Sequence, residues 1–353
     1  MGLGSLGHRL YSGESSINFV GRRKMWYLIS AVILIVAIAA LLIRGLNLGI
    51  EFRGGAEFRI PNPTCSVEQA RDTASSVVGG EAIVTETGSG DIRVQVPPID
   101  TKTSSQVVQA LSAECGVPAG DIQSQLVGPS WGGEITKKAL IALGVFLLLV
   151  AIFLAIYFEW RMAVAALVAL VHDIVITVGI YALTGLEVTP ATVIGLLTIL
   201  GYSLYDTVVV FDKVKENTRG ITGQSVMTYS EAANLAVNQT LVRSINTSIV
   251  ALLPVVAIII VGAGLLGAGT LLDLAVALLV GMAAGAYSSL TIATVSLAQL
   301  KETQPEMKAL AQRVRGRRAA GRTKAGEEGV ALAESGGRSQ PKKQVRSKRS
   351  KRG

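Results

Sequence analysis

Carboxylates inside apolar runs are the residues of this chain best placed to do chemistry. Asp206 stands within LLTILGYSLYDTVVVFDKVKEN, residues 196–217, a run that turns polar only at its end. An ionised side chain is costly at membrane depth, so a carboxylate there is a functional candidate by default. A carboxyl group that moves between apolar surroundings, which disfavour charge, and a cation, which favours it, loads and releases a proton. Two plainer roles stand beside this one. Asp206 is then a hydrogen-bonding strut between helices, or a charge near the headgroups, since Asp212 and Lys213 soon follow. At about 100° per residue, Gly195, Thr198, Tyr202, Ser203 and Asp206 share one helix face, with Leu197, Leu200, Leu204, Val208 and Phe211 opposite. The polar face is expected to look into a helix bundle.

Arg243 is the candidate counter-charge. It precedes NTSIVALLPVV at the start of the next apolar run, at a depth similar to that of Asp206 if one run enters a membrane side and the next leaves it. An ordinary edge arginine with a snorkelling stem is the alternative. His172 and Asp173 lie midway along another run. Helix neighbours point about 100° apart, so the two are not expected to pair simply with each other. Asp173 is the stronger candidate for function or essential helix contacts. Gly281 and Gly285, in GMAAG, have the small-xxx-small spacing that lets membrane helices approach closely.

The elements that must position these residues are membrane helices. Half of the residues are hydrophobic and the mean hydropathy is +0.49. Six long apolar stretches, 25–43, 139–158, 162–183, 188–211, 245–266 and 271–297, each suffice to cross a bilayer core of about 20 helical residues. The first resembles a signal peptide behind Arg22, Arg23 and Lys24, but 24 residues precede it and five more stretches follow, so no cleavage is expected. With six spans, Arg9, Arg22, Arg23 and Lys24, then Arg161, then Lys213, Lys215 and Arg219, and the basic C-terminal segment fall on one side. The positive-inside rule makes that side the cytoplasm and puts both termini there. Lys137 and Lys138 dissent mildly from the other side.

Residues 44–134 then face outward, with 6 Lys/Arg against 11 Asp/Glu. GIEFRGGAEFRI alternates like a strand around a Gly-Gly break. SVEQARDTASSVVG and TSSQVVQALSAECG read as helices, and EAIVTET, DIRVQV and DIQSQLVG as strands. The order β-α-β-β-α-β suggests a ferredoxin-like α+β domain between helices 1 and 2. Cys65 and Cys115 fall at helix ends that this fold makes neighbours. A disulfide and two independent small hydrophobes are both open readings. The expected organisation is a cytoplasmic segment 1–24, helix 1 at 25–43, the extracytoplasmic domain 44–136, helices 2–6 over 137–299, and a tail from 300 to 353. From Lys301 onward 16 Lys/Arg stand against 5 Asp/Glu, and the end, PKKQVRSKRSKRG, is almost without apolar residues. A disordered basic tail is expected, either simply solvated or binding anionic lipid or ribosomal RNA through phosphates.

Neither G-x-x-x-x-G-K-[ST] nor H-E-x-x-H occurs, and neither an enzyme nor a cofactor or metal is expected. Work would come from an ion gradient, worth about 2.3 kcal/mol per charge per 100 mV.

These segments resemble a known family. GIEFRGG (49–55), VHDIVITVGIYAL, GYSLYDTVVVFDKVKEN (201–217), NQTLVRSINTS and GAYSS are similar, in order and on the matching spans, to SecF signatures of the SecD/SecF family. The resemblance covers roughly 17–300. It implies an accessory subunit of Sec protein export, an RND-type half bundle that pairs with SecD beside the SecYEG channel and uses the proton gradient to promote movement of unfolded polypeptide. It implies proton passage at Asp206 with Arg243 nearby, and a less settled role for Asp173. Glu51 replaces the usual aspartate of the first signature, and Tyr205 stands where asparagine is frequent. A non-transporting scaffold and half of an RND-type lipid or drug exporter are the competing expectations.

Overall fold

A computed structural model of the chain describes residues 16–87, 90–263 and 269–335. Six of its helices are long and apolar enough to cross a membrane. The first, α1 (Arg23–Arg44), buries only Ser30, Ala37 and Ala40. A two-residue strand β1 (Asn47–Leu48) and one helical turn, α2 (Ile50–Arg53), follow. The alternation of GIEFRGGAEFRI predicts strand on both sides of its glycines, yet only the second half is a strand. Gly54 and Gly55 take φ of +77° and +143°, which reverse the chain and restart it as β2 (Gly55–Ile60).

An α/β layer is built next: β2, α3 (Val67–Val78), β3 (Ile83–Glu86), β4 (Ile92–Val96), α4 (Thr101–Cys115) and β5 (Gln123–Val127). Ser66 and Gln69 form a capping box that starts α3, and Gly79 ends it in the left-handed conformation. Asp100 caps α4 through the Thr103 amide, and Gly116 ends it. The sheet order is β3-β4-β2-β5, with every neighbouring pair antiparallel. Phe58 stands opposite Val94. Alternate strand residues turn inward to bury Phe58, Ile60 and Val94 against Ala70, Ala74, Val107 and Leu111 of the helices. Cys65 and Cys115 form a disulfide between the start of α3 and the end of α4.

The remaining spans are α5 (Pro129–Tyr157), α6 (Trp160–Thr184), α7 (Pro190–Asn217), α8 (Tyr229–Ala257), and a last span made of α9 (Gly269–Ser288), a π-helical turn (Ser289–Ala293) and α10 (Thr294–Glu302). Leu154, Leu170, Leu200, Phe211 and Leu297 meet in one buried cluster. The residue pair β6 (Glu187–Val188), between α6 and α7, pairs in parallel with β1. Arg93 of β4 bonds Glu57 at 2.5 Å and also Glu187, so an ion network joins the α/β layer to the bundle.

Both ends of the described chain rest on α8. The Ile17 amide donates to Asn238 Oδ1 at 2.7 Å, and the Phe19 and Val20 amides donate to Asn234 Oδ1 at 2.8 and 3.1 Å. At the other end α11 (Pro305–Ser335) is helical, which corrects the expectation of a disordered tail from 300; residues 336–353 lie outside the described residues. Met307, Leu310 and Val314 form an i, i+3, i+7 stripe that is buried. Burying a side chain such as Leu or Val contributes about 1.5–3 kcal/mol, enough to hold this basic helix down. Arg313 donates to the Thr222 carbonyl, Arg317 to Ser225 and Arg318 to both carboxylate oxygens of Glu231.

Candidate functional site

Two carboxylates lie deep in the bundle, each held by two serines. Asp206 of α7 is 4% exposed. Its Oδ1 accepts from Ser244 Oγ of α8 at 2.7 Å, and its Oδ2 accepts from Ser289 Oγ of the π-turn. Asp173 of α6 is 1% exposed. Its Oδ2 accepts from Ser203 Oγ at 2.6 Å and from Ser288 Oγ at 2.8 Å. Four spans therefore converge on two acidic groups, and Ser288 and Ser289, adjacent in sequence, serve one group each.

The close approach that permits this rests on two glycines of α9. A Cβ at Gly285 would stand 2.8 Å from Ser203 Cβ, and one at Gly281 would overlap the Ile199 side chain. The small-xxx-small spacing thus meets α7 directly, and Ser203 reaches Asp173 across the gap.

Not every expected residue joins the site. Gly195, Ser203 and Asp206 turn inward. Tyr202 is half-buried and donates to Ser248 Oγ at 3.3 Å. Thr198, expected on the interior face, is exposed and bonds only the Ile194 carbonyl behind it. The buried stripe runs Gly195, Ile199, Ser203, Asp206, Val210, at i, i+4, i+8, i+11, i+15, and Thr198 sits one step off it. The opposite face is enclosed too, since Leu200 and Phe211 lie in the large apolar cluster. Within the apolar part of α7 the exposed residues form the stripe Ile194, Thr198, Gly201 and Tyr205.

Arg243 is likewise not the partner of Asp206 in this arrangement. It is exposed, and its guanidinium donates to the Tyr205 hydroxyl at 3.3 Å. Helix geometry is the reason. Adjacent residues diverge by about 100°, so Ser244 takes the inward position and Arg243 the outward one.

His172 and Asp173 do meet, contrary to expectation: Nδ1 lies 3.1 Å from Asp173 Oδ1. Side-chain reach closes an angle that backbone direction opens. The His172 ring stacks on Tyr287, whose hydroxyl lies 2.9 Å from Ser30 Oγ. Nε2 of His172 has no hydrogen-bond partner. Among the described residues no group of three or more His, Cys, Asp or Glu side chains is set to hold a metal ion.

Sequence reasoning missed Ser244, Ser288 and Ser289. Small hydroxyl residues are ordinary in membrane helices, and GAYSS reads first as a small-residue stretch. Ser203, three residues before Asp206, put a hydroxyl on the acidic face, but it bonds Asp173 and so did not point to these three serines.

A family model described as "Protein export membrane protein SecD/SecF, C-terminal" matches residues 107–303, and one described as "SecD/SecF GG Motif" matches residues 39–61. The chain is 56% identical over 335 residues to the protein translocase subunit SecF of Streptomyces coelicolor, covering 95% of this chain and 90% of that protein. It is 43% identical over 332 residues to the protein translocase subunit SecF of Mycobacterium tuberculosis, covering 90% and 75%. The crystal structure of SecDF, a translocon-associated membrane protein from Thermus thermophilus, superposes with a TM-score of 0.73 at 30% identity, covering 82% of this chain but 39% of that one.

Proposed function

From the premise that this chain belongs to the SecD/SecF family of protein export membrane proteins, as an accessory subunit of Sec export, we propose that it couples the proton gradient to export through Asp206. One observation carries this reading: Asp206 is buried within a helix apolar enough to span a membrane, among hydroxyl groups and not beside a cation. A guanidinium partner favours only the ionised carboxylate. A serine hydroxyl donates to a carboxylate and accepts from a carboxylic acid, so both protonation states find partners in the same place. Asp173, with Ser203, Ser288 and His172, offers a second such position.

The test is export in cells carrying Asp206→Asn, with accumulation and assembly measured alongside. Export at the level of a null strain, with the protein present and assembled, supports proton coupling. Normal export removes it and leaves a non-transporting scaffold.

The partner in this reading is SecD. The solved relative named SecDF is more than twice as long as this chain's match to it, which leaves room for a second half. The exposed stripe Ile194, Thr198, Gly201 and Tyr205 on α7, with Arg243 beside it, suits helix docking, because Gly201 leaves open space and Arg243 lacks an ion pair among the described residues. Arg243 then serves a site completed by SecD. The SecYEG channel and the exported polypeptide follow from the same reading. The strand order β3-β4-β2-β5 supports a ferredoxin-like outer domain. The Lys/Arg distribution supports an inner-membrane protein with both termini cytoplasmic. Binding of anionic lipid or ribosome is left to the basic residues beyond α11's docked face, since Arg313, Arg317 and Arg318 are engaged.

A further inference from the structure

The last span is irregular at the point where it meets the carboxylates. Its α-helix gives way to a π-turn at Ser289–Ala293. A π-turn widens the helix and disturbs its carbonyl partners, and such turns gather at functional sites. Here side-chain hydroxyls answer the disturbance. Ser288 Oγ lies 3.3 Å from the Gly285 carbonyl and Ser289 Oγ 3.2 Å from the Ala286 carbonyl. Thr291 and Thr294 donate to the Tyr287 and Ser289 carbonyls at 2.6 and 3.1 Å.

Ser288 and Ser289 therefore each have two acceptors within reach and one proton to give. One acceptor is a carboxylate on a neighbouring helix. The other is a carbonyl three residues back in the same helix. This is a choice that the two threonines, which have no carboxylate, do not face.

We propose that Ser288 and Ser289 are positioning residues that turn proton occupancy of Asp173 and Asp206 into a change in the shape of the last span, one serine for each carboxylate. The inference rests on the proton-coupling reading above. With Asp206 ionised, the Ser289 hydroxyl donates to it and ties the π-turn to α7. When Asp206 gains a proton, its own O–H donates to Ser289 Oγ, and the serine hydrogen turns to the Ala286 carbonyl. No donor or acceptor is lost in the exchange. The backbone does feel it, because hydroxyl back-bonding to a helix carbonyl bends helices. Ser288 does the same between Asp173 and the Gly285 carbonyl. Because the two serines are adjacent on one turn, either carboxylate acts on the same piece of backbone.

The experiment compares Ser289→Thr with Ser289→Val in the full chain, assembled with its partner in membranes. Threonine and valine have nearly the same shape, so the pair isolates the hydroxyl. Proton-driven export is measured together with infrared carboxylate bands, the Asp206 band being assigned by its loss in Asp206→Asn. The threonine variant is expected to retain export. The valine variant is expected to lose about tenfold, as for a hydrogen bond to a charged group, with assembly intact, and to move the Asp206 band alone. Ser288→Ala is expected to move the Asp173 band alone. Equal export by the threonine and valine variants, or an unmoved Asp206 band in the valine variant, overturns the inference. If those results come with an inactive Asp206→Asn, the proton-coupling reading survives. If Asp206→Asn is itself active, that reading and this inference fall together.

Discussion

Two acidic regions of this molecule are built on opposite plans. At the join between the α/β layer and the bundle, Glu57 and Glu187 share Arg93, and Gln95 donates to Glu187 at 2.9 Å. In the bundle, Asp173 and Asp206 are held by serines. The guanidinium at the join is itself pushed further toward its charged form, because the hydrogen bonds and charges of Glu57 and Glu187 outweigh burial. A cation locks a carboxylate in one state, whereas hydroxyls serve two. The first plan makes a fixed joint, and the second keeps a group able to change.

The sharpest way to break this comparison is to give the membrane site the plan of the joint. Ser244→Lys places a cation against Asp206 Oδ1 and holds it ionised. Export is expected to fall to the level of a null strain while the protein still assembles, as read by secretion assay with co-purification. Export that persists would erase the distinction between the two regions.

The converse change removes the cation from the joint. Arg93→Met leaves Glu57 and Glu187 facing each other, and for this partly buried network the cost lies between those of surface and buried pairs, about 1–3 kcal/mol. Unfolding of the purified chain, followed by denaturant, measures it. The disulfide fixes the helical face of the same domain covalently, and replacing Cys65 and Cys115 by serine is expected to cost about 2–3 kcal/mol in the same assay, with the reduced wild type as control.

Glu51, beside this joint, has one carboxylate oxygen left over. Its Oε2 is buried without a hydrogen bond, and burial, the largest cause, raises its carboxyl above the ordinary 4.5. The fold thus prefers the protonated form. The contribution of Glu51 to stability is fullest below pH 4.5 and falls as pH rises through the raised value. Glu51→Gln should be the more stable protein at neutral pH, and the advantage should vanish below 4.5; melting curves across pH decide it. Smallest of all is Arg243→Ala in the isolated chain. The side chain is exposed with one long hydrogen bond, so stability should move by under about 0.5 kcal/mol, while co-purification with SecD should weaken.

Much of this was legible beforehand, and the misses have physical causes. Six spans follow from run length alone, because lipid demands helices. The α/β order is legible because caps and glycines punctuate it: Ser66, Gly79, Asp100 and Gly116 all act where their types suggest. Thr198 misled because α7 is enclosed on two sides, and a wheel of polar against apolar residues cannot say which sector faces out. Arg243 misled because charge suggests a partner, whereas direction assigned that place to Ser244. The serines were hidden by their ordinariness. The docking of α11 was available in the spacing of Met307, Leu310 and Val314, but the surrounding basic residues outweighed it.

The hold that both chain ends have on α8 has a mechanical consequence. Asn234 and Asn238 clasp residues 17–20, and Glu231 takes Arg318. A helix gripped at one end by two separate straps cannot roll about its own axis without tearing one of them. Ser244 rides on that fixed part, and Ser289 rides on a helix whose regular winding is already interrupted. The two oxygens of Asp206 are thus fastened to two different helices, one strapped by both chain ends and one whose winding breaks at the serine itself.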